Sequence, residues 1–311
     1  MQKKTKKALI LGVSLGLSAS VLGVFGLYGS VNPKVPESKA GDWLGQMSDL
    51  ALIKDISLPG SHDTMALYAL GDLAGRCQSL SLASQLEAGV RFLDIRLQNQ
   101  NDTLKAVHGI VDEKEKFPSI VNTIDTFLTE HPTEFVIVSI KEEEKAKGGT
   151  KDFETLVVDS LTEKWYTGNV MPVALGQVRG KAILLSRYAD SKFGVPAYEG
   201  WQDNATFALP NLIHVQDEYK INDIQVKKDA IKKCLETTNG LGLLSPMTLN
   251  FFSAYRTSYF PPSYAPSVAK EINPDLENIL KPYKKTGVAI LDFITEDNAK
   301  LIISHNEGVT L

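Results

Sequence analysis

His62 and Asp63 stand side by side in "SLPGSHDT" (57–64), directly after an apolar run. Asp94 and Arg96 lie two apart in "VRFLDIRL" (90–97), so in an extended chain both point to one face. His108 falls at the end of "TLKAVHG" (103–109), Lys141 closes "FVIVSIK" (135–141), Arg187 closes "KAILLSR" (181–187) and Asp217 closes "NLIHVQD" (211–217). Asp292 stands near the end of "GVAILDFI" (287–294). A lone charge in an apolar run is costly to bury, yet these charges gather at one end of each run. Two imidazoles that titrate near neutral pH can divide the work of general base and general acid. A carboxylate beside an imidazole fixes its tautomer and stabilises the imidazolium. A guanidinium brings a permanent charge and several donors, suited to a phosphate. Together the residues outline a metal-free phosphodiester-transfer site with two histidines.

Each residue alone has a plainer reading. His108 can be a satisfied, half-buried strand-end histidine. Asp94 and Arg96 can be a structural ion pair. Lys141 opens "KEEEK" and can belong to a solvated charge run, and Asp292 can cap a turn. Their shared location is what favours chemistry. His131, before Pro132, and His305, on a late helix, read as structural, and His214, inside a strand, as packing.

The elements that must position these groups alternate. Besides the runs above, "LIKDISL" (52–58) and "LGLLSPMTL" (241–249) read as strands, and Pro59-Gly60 as the turn that ends the first. Most runs are apolar throughout, which implies burial on both faces, as in a parallel sheet. Helix patterns fall at 81–89, 119–132, 152–165, 226–240, 273–285 and 296–306. Eight strand slots alternating with helices argue for a (β/α)8-type barrel, whose active sites lie at the C-terminal strand ends. Residues 97–103 are too few for a crossover helix, so strands two and three are expected to be joined by a loop or hairpin.

The chain has 311 residues, a net charge of −4, 43% hydrophobic and 23% charged residues. That is ordinary globular composition, with no basic face for nucleic acid. Lys3, Lys4, Lys6 and Lys7 precede a 22-residue stretch without charge. Residues 1–30 read as a signal peptide or an uncleaved N-terminal membrane anchor, residues 31–42 as a linker and 43–311 as the catalytic part, placed outside the cytoplasm. Cys77 and Cys234 are the two cysteines, either a disulfide or two buried thiols, and no spacing suggests zinc.

The motifs "ISLPGSHDT", "RFLDIRL" followed by "VHG", "VIVSIKEE", "GKAILLSRY", "VQDEYK" and "AILDFI", after an opening "DWLGQMSD", resemble those of bacterial phosphatidylinositol-specific phospholipase C in order and spacing. The resemblance implies a distorted (β/α)8 TIM-type barrel, working as a monomer on phosphatidylinositol in membranes. It implies attack of the inositol 2-hydroxyl on phosphorus, releasing diacylglycerol and leaving a 1,2-cyclic phosphate. In that scheme His62 is the base, oriented by Asp292, and His108 the acid, supported by Asp63. Arg96 binds phosphate and is held by Asp94. Lys141, Arg187 and Asp217 bind inositol hydroxyls, and Tyr219 stacks on the ring. No metal or other cofactor is expected, because Arg96 fills the charge role and Gln98 and Asn99 follow "DIRL" where acidic ligands would be needed. Membrane contact is expected from a rim helix at 65–75 and from the aromatic stretch 251–266. The competing readings are a phosphodiesterase for glycosyl-phosphatidylinositol anchors or glycerophosphodiesters, and a non-catalytic inositol-lipid binding domain.

Overall fold

The structure is a computed structural model that describes residues 40–68, 76–240, 242, 245–256 and 264–307. The N-terminal apolar stretch, the linker up to residue 39, residues 69–75 and residues 257–263 lie outside the described residues. In chain order the strands are β1 (Leu58–Ser61), β2 (Phe92–Asn99), β3 (Leu104–His108), β4 (Val111–Lys116), β5 (Phe135–Glu142), β6 (Trp165–Tyr166) and β7 (Lys181–Arg187). They continue as β8 (Val195–Pro196), β9 (Thr206–Leu209), β10 (Ile213–Gln216), β11 (Lys220–Ile221), β12 (Met247–Phe251), β13 (Tyr255–Arg256) and β14 (Val288–Leu291). The α-helices are α1 (Leu82–Glu87), α2 (Phe117–Glu130), α3 (Phe153–Val158), α4 (Ile224–Asn239), α5 (Ala265–Ile272), α6 (Leu276–Leu280) and α7 (Glu296–Ser304).

One curled sheet runs in the order β6-β7-β5-β2-β1-β14-β12-β10-β9. Every pairing from β6 to β10 is parallel, and β9 closes the edge antiparallel. The eight parallel strands are those of a distorted TIM-type barrel, with one exchange. The third apolar run, β3, leaves the ring and forms an antiparallel hairpin on β2, as the short 97–103 connection requires. β2 and β5 then pair directly across the vacated position, and the eighth parallel strand is the two-residue β6, added at the sheet edge beyond β7. Between β7 and β10, where a barrel would place a helix, the described residues form β8 and β9 instead.

Both sheet faces are buried, which explains the continuous apolar runs. Leu93, Ile95, Val136, Val138, Leu184 and Leu291 pack with the helices. Leu58, Phe92, Ile137, Ile183, Val215, Leu249 and Ile290 form a second cluster on the inner face. The first strand differs from its sequence reading. Ile53–Asp55 is a 3-10 turn, and Pro59 and Gly60 lie inside β1 rather than ending it. Arg91 N donates to Pro59 O at 2.8 Å, so the prolyl nitrogen faces the same side, ahead of the first paired β2 residue, and no ladder bond is lost. Gly60 has no side chain because a Cβ there would stand 3.0 Å from Ile290 and 3.2 Å from Phe92.

Other expectations shift similarly. The 241–249 run becomes strand only at Met247–Phe251, the 152–165 helix stops at Val158, and 273–285 splits into a 3-10 turn and α6. The rim helix fails for its described part: residues 66–68 are not helical, and Met65 and Ala66 are buried. Phe251 and Phe252 are core residues, not surface aromatics. Cys77 and Cys234 are both free and buried. His131 sits between Asp42 (2.9 Å) and Glu87 (3.1 Å), and His305 Nδ1 donates to the Tyr283 carbonyl at 3.0 Å. His214 is half-buried in β10. Among the described residues no helix is long and apolar enough to cross a membrane.

Just before β2 and β5, at the ends of the strands opposite the site, Arg91 and Glu134 are fully buried and joined at 2.7 Å. Arg91 also donates to the carbonyls of Leu86, Val90 and Gly41, and lies over the Phe127 ring. Removing one partner strands the other charge, so Glu134→Ala is expected to lower stability by about 3–5 kcal/mol. Urea unfolding checks it, and a loss under about 1 kcal/mol would refute the account.

Candidate active site

The inner faces of β2, β5 and β7 are apolar at their start and polar at their end. On β2, Phe92 is followed inward by Asp94 and Arg96. On β5 the same two-residue step runs Ile137, Ser139, Lys141, and on β7 Ile183, Leu185, Arg187. Arg96 pairs in register with Lys141, and Lys141 with Arg187, so three cations form one row across three strands. Ser61 pairs with Leu291, which sets the next residues, His62 and Asp292, side by side. Asp217 follows β10 at the same inward step after Val215. Strand alternation thus delivers the expected residues to one rim, and His108 reaches it from the β3 hairpin.

His62 Nδ1 meets Asp292 Oδ1 at 2.7 Å, and Arg96 Nη2 stands 2.9 Å from His62 Nε2. A guanidinium only donates, so Nε2 accepts, and Nδ1–H donates to Asp292. The resting imidazole is neutral, with its free lone pair turned to Arg96. Asp63 takes the other histidine: its Oδ2 lies 3.2 Å from His108 Nε2 and 3.2 Å from Arg96 Nη1. Asp63 has φ +44°, a left-handed conformation that costs energy in most residues other than glycine and that Asn and Asp tolerate better than most. That turn sends neighbouring side chains to separate partners. It is fastened by Thr64, whose N–H donates to Asp94 O and whose Oγ1 accepts from Asp94 N, and by Asp63 N–H on Asp94 Oδ2.

Asp94 is fully buried and accepts from Arg96 through Oδ2 (3.0 Å) and from Arg187 through Oδ1 (3.2 Å). Burial would raise its carboxyl, but the two guanidiniums overcome this and hold it far below the usual carboxylate range. Burial likewise opposes charge on His62, and Asp292 reverses that, so its pKa lies above the ordinary 6.5. Asp63 is raised by burial against the pull of Arg96 and His108. A cavity of about 410 Å³ opens onto His62, His108, Asp292, Glu143, Tyr219 and Tyr255.

Lys141, Arg187, Asp217 and Tyr219 form the outer part. Arg187 stacks on Trp201 at 3.5 Å, and Trp201 Nε1 donates to Asp217 Oδ2 at 3.3 Å. Tyr219 lies against Tyr255 and donates its hydroxyl to Asp203 at 2.5 Å. Several members carry no sequence signal. Glu143, inside the "KEEEK" run, folds inward to accept from Lys141 at 2.6 Å and lies 3.4 Å from Arg96. Burial would raise it, yet Arg96 and Lys141 hold it down at about 2. Gln78 is buried, and its Nε2 donates to the carbonyls of His62 (2.7 Å) and Leu291 (2.9 Å), tying the ends of β1 and β14 together. Lys227, buried on α4, donates to Gln216 Oε1 (3.0 Å) and Glu218 O (2.8 Å), on either side of Asp217. Its burial looks like an error of the helix pattern until this contact is seen.

Residues 56–188 match the family described as phosphatidylinositol-specific phospholipase C, X domain. A 1-phosphatidylinositol phosphodiesterase of Listeria monocytogenes is 27% identical over 278 residues, covering 85% of this chain and 84% of its own length. Over most of its length this chain is similar to bacterial phosphatidylinositol-specific phospholipases C. A second relative, the 1-phosphatidylinositol phosphodiesterase of Staphylococcus aureus, is 29% identical over 319 residues, covering 94% of both chains. A solved double mutant of the phosphatidylinositol-specific phospholipase C from S. aureus superposes with a TM-score of 0.77 at 25% identity, covering 86% of this chain and 97% of that one.

Proposed function

We propose that this chain cleaves phosphatidylinositol to diacylglycerol and 1D-myo-inositol 1,2-cyclic phosphate without a metal. Both curated relatives carry the name 1-phosphatidylinositol phosphodiesterase. The observation that carries the reading is the pair of separate His–Asp couples on either side of Arg96. In the resting site Arg96 donates to His62 Nε2. An incoming phosphate diester competes for that guanidinium and frees Nε2 to take the proton of the inositol 2-hydroxyl. Asp292 stabilises the imidazolium that results. The 2-oxygen attacks phosphorus, Arg96 stabilises the negative charge that gathers on the phosphoryl oxygens, and His108 protonates the departing glycerol oxygen. Asp94, Asp63 and Glu143 hold Arg96 in place. Lys141, Arg187 and Asp217 suit the inositol hydroxyls, and Tyr219 suits the ring face.

The substrate lies in a membrane. Ile110, 86% exposed on the β3–β4 turn at the cavity mouth, offers an apolar contact to that surface. The lysine-rich start and the apolar stretch behind it support export to where such lipid is met.

The test is incubation with phosphatidylinositol vesicles in EDTA, read by phosphorus NMR. The cyclic phosphate is expected as first product. Activity lost in EDTA would overturn the metal-free mechanism. Turnover of glycerophosphocholine in place of phosphatidylinositol would overturn the substrate, and binding unaffected by His62→Ala without turnover would overturn the enzyme.

A further inference from the structure

Cys77 has no part in that chemistry, yet it borders the reacting groups. It is 2% exposed and lines the cavity with His62 and Asp292. One nitrogen of His62, the Cys77 sulfur and one Asp292 carboxylate oxygen lie within 4.8 Å of one another. The same sulfur stands in a second such triangle with Asp63 and His108. Asp292 is 3% exposed, and while its Oδ1 takes His62, its Oδ2 is buried with no hydrogen-bond partner. The Cys77 thiol, a weak donor, interacts with that carboxylate, so a buried oxygen with no stronger partner beside a thiol and an imidazole can take a cation.

The donor set is one sulfur, one nitrogen and one oxygen. A tetrahedral zinc ion holds such atoms at about 2.0–2.3 Å, which places them roughly 3.3–3.8 Å apart. Side-chain movements of about 1 Å bring the three atoms to that spacing. All three residues line the cavity, which leaves room for water as a fourth ligand. Charge also fits: the cation meets a thiolate and a carboxylate, while the nearby Arg96 is already balanced by Asp63, Asp94 and Glu143. We propose that His62, Cys77 and Asp292 form a site for a thiophilic divalent cation of the zinc class, and that filling it switches the enzyme off. A sulfur–metal bond forms as the thiol releases its proton to solvent; His62 gives the lone pair of one ring nitrogen, the Nδ1 proton passing to Nε2 when Nδ1 is the ligand, and no electron is transferred. The inhibition rests on the proposed function, because the cation takes the imidazole needed as base; the site itself does not.

Two measurements on the full chain separate these points. Cobalt(II), a spectroscopic stand-in for zinc, is expected to give a thiolate-to-metal charge-transfer band in the near ultraviolet with the wild-type protein and none with Cys77→Ala. This needs no turnover. Zinc chloride is expected to inhibit cyclic-phosphate formation, with recovery on adding EDTA. Outer partners of a bound metal are worth about 10–100-fold in affinity, and a direct ligand no less. Cys77→Ala and Cys77→Ser are therefore expected to keep most metal-free activity and to raise the half-inhibitory zinc concentration at least about tenfold. No charge-transfer band in the wild type would overturn the site. A band with equal zinc inhibition in all three proteins would overturn the switch. Absence of cyclic phosphate without metal would overturn only the proposed function.

Discussion

Replacing His62 by alanine is expected to lower kcat on phosphatidylinositol by about 100- to 10,000-fold, the usual worth of a positioned general base. The acid limb of the pH profile tests the role more sharply than the size of the loss. A base must be unprotonated, so the rate rises with pH through the His62 pKa. Burial pulls that pKa down and Asp292 pushes it up further, leaving it above 6.5. The acid limb of kcat/KM should therefore have its midpoint above 6.5. In Asp292→Asn the raising charge is gone, and burial and the Arg96 charge remain. The midpoint should then move to lower pH while kcat falls, because the imidazolium formed in the reaction loses its counter-charge. A rate plotted against pH for both proteins decides this. An unmoved acid limb in Asp292→Asn would mean that some other group sets it.

Much of this site is legible in the sequence, for a reason rooted in strand geometry. A strand buried on both faces leaves no alternation to read, so the charged residues at the ends of β2, β5, β7, β10 and β14 stand out against apolar runs. Their positions need only strand direction and the two-residue period. What the sequence hides are partners that arrive from elsewhere in the chain. Glu143 looks like one of three solvated glutamates, and only the β2–β5 register turns it toward Arg96. Gln78 belongs to no strand, and Lys227 sits on a helix face that should be dry. Pro59 and Gly60 mislead in the opposite direction. The local rule reads them as a turn, but tight packing between Phe92 and Ile290 demands the glycine, and the prolyl nitrogen lies ahead of the first paired β2 residue, where no ladder bond is lost. The departure of β3 shows the same limit: the short connection announces a hairpin, while nothing in a two-residue strand announces β6 as the edge strand beyond β7.

His108→Ala should separate two substrates that His62→Ala does not. The glycerol oxygen of the lipid leaves as a poor alkoxide unless it is protonated, so loss of the acid should cost about 100- to 10,000-fold. An inositol phosphate ester of an acidic phenol departs without a proton, and its cleavage should fall only a few-fold. His62→Ala removes the proton acceptor on the other side of phosphorus and should slow both substrates alike. Asp63 makes the comparison demanding, because it touches His108 and Arg96 at the same 3.2 Å. If Asp63 served mainly to hold the guanidinium, Asp63→Asn would damage both substrates. Arg96 keeps Asp94 at 3.0 Å and Glu143 at 3.4 Å when Asp63 is neutralised, whereas His108 loses the charge opposite its ring. Asp63→Asn is therefore expected to follow the His108→Ala pattern, with a larger loss on the lipid than on the phenol ester. Equal losses on both substrates in His108→Ala would remove the acid role from His108, and equal losses in Asp63→Asn would move Asp63 to the phosphate clamp.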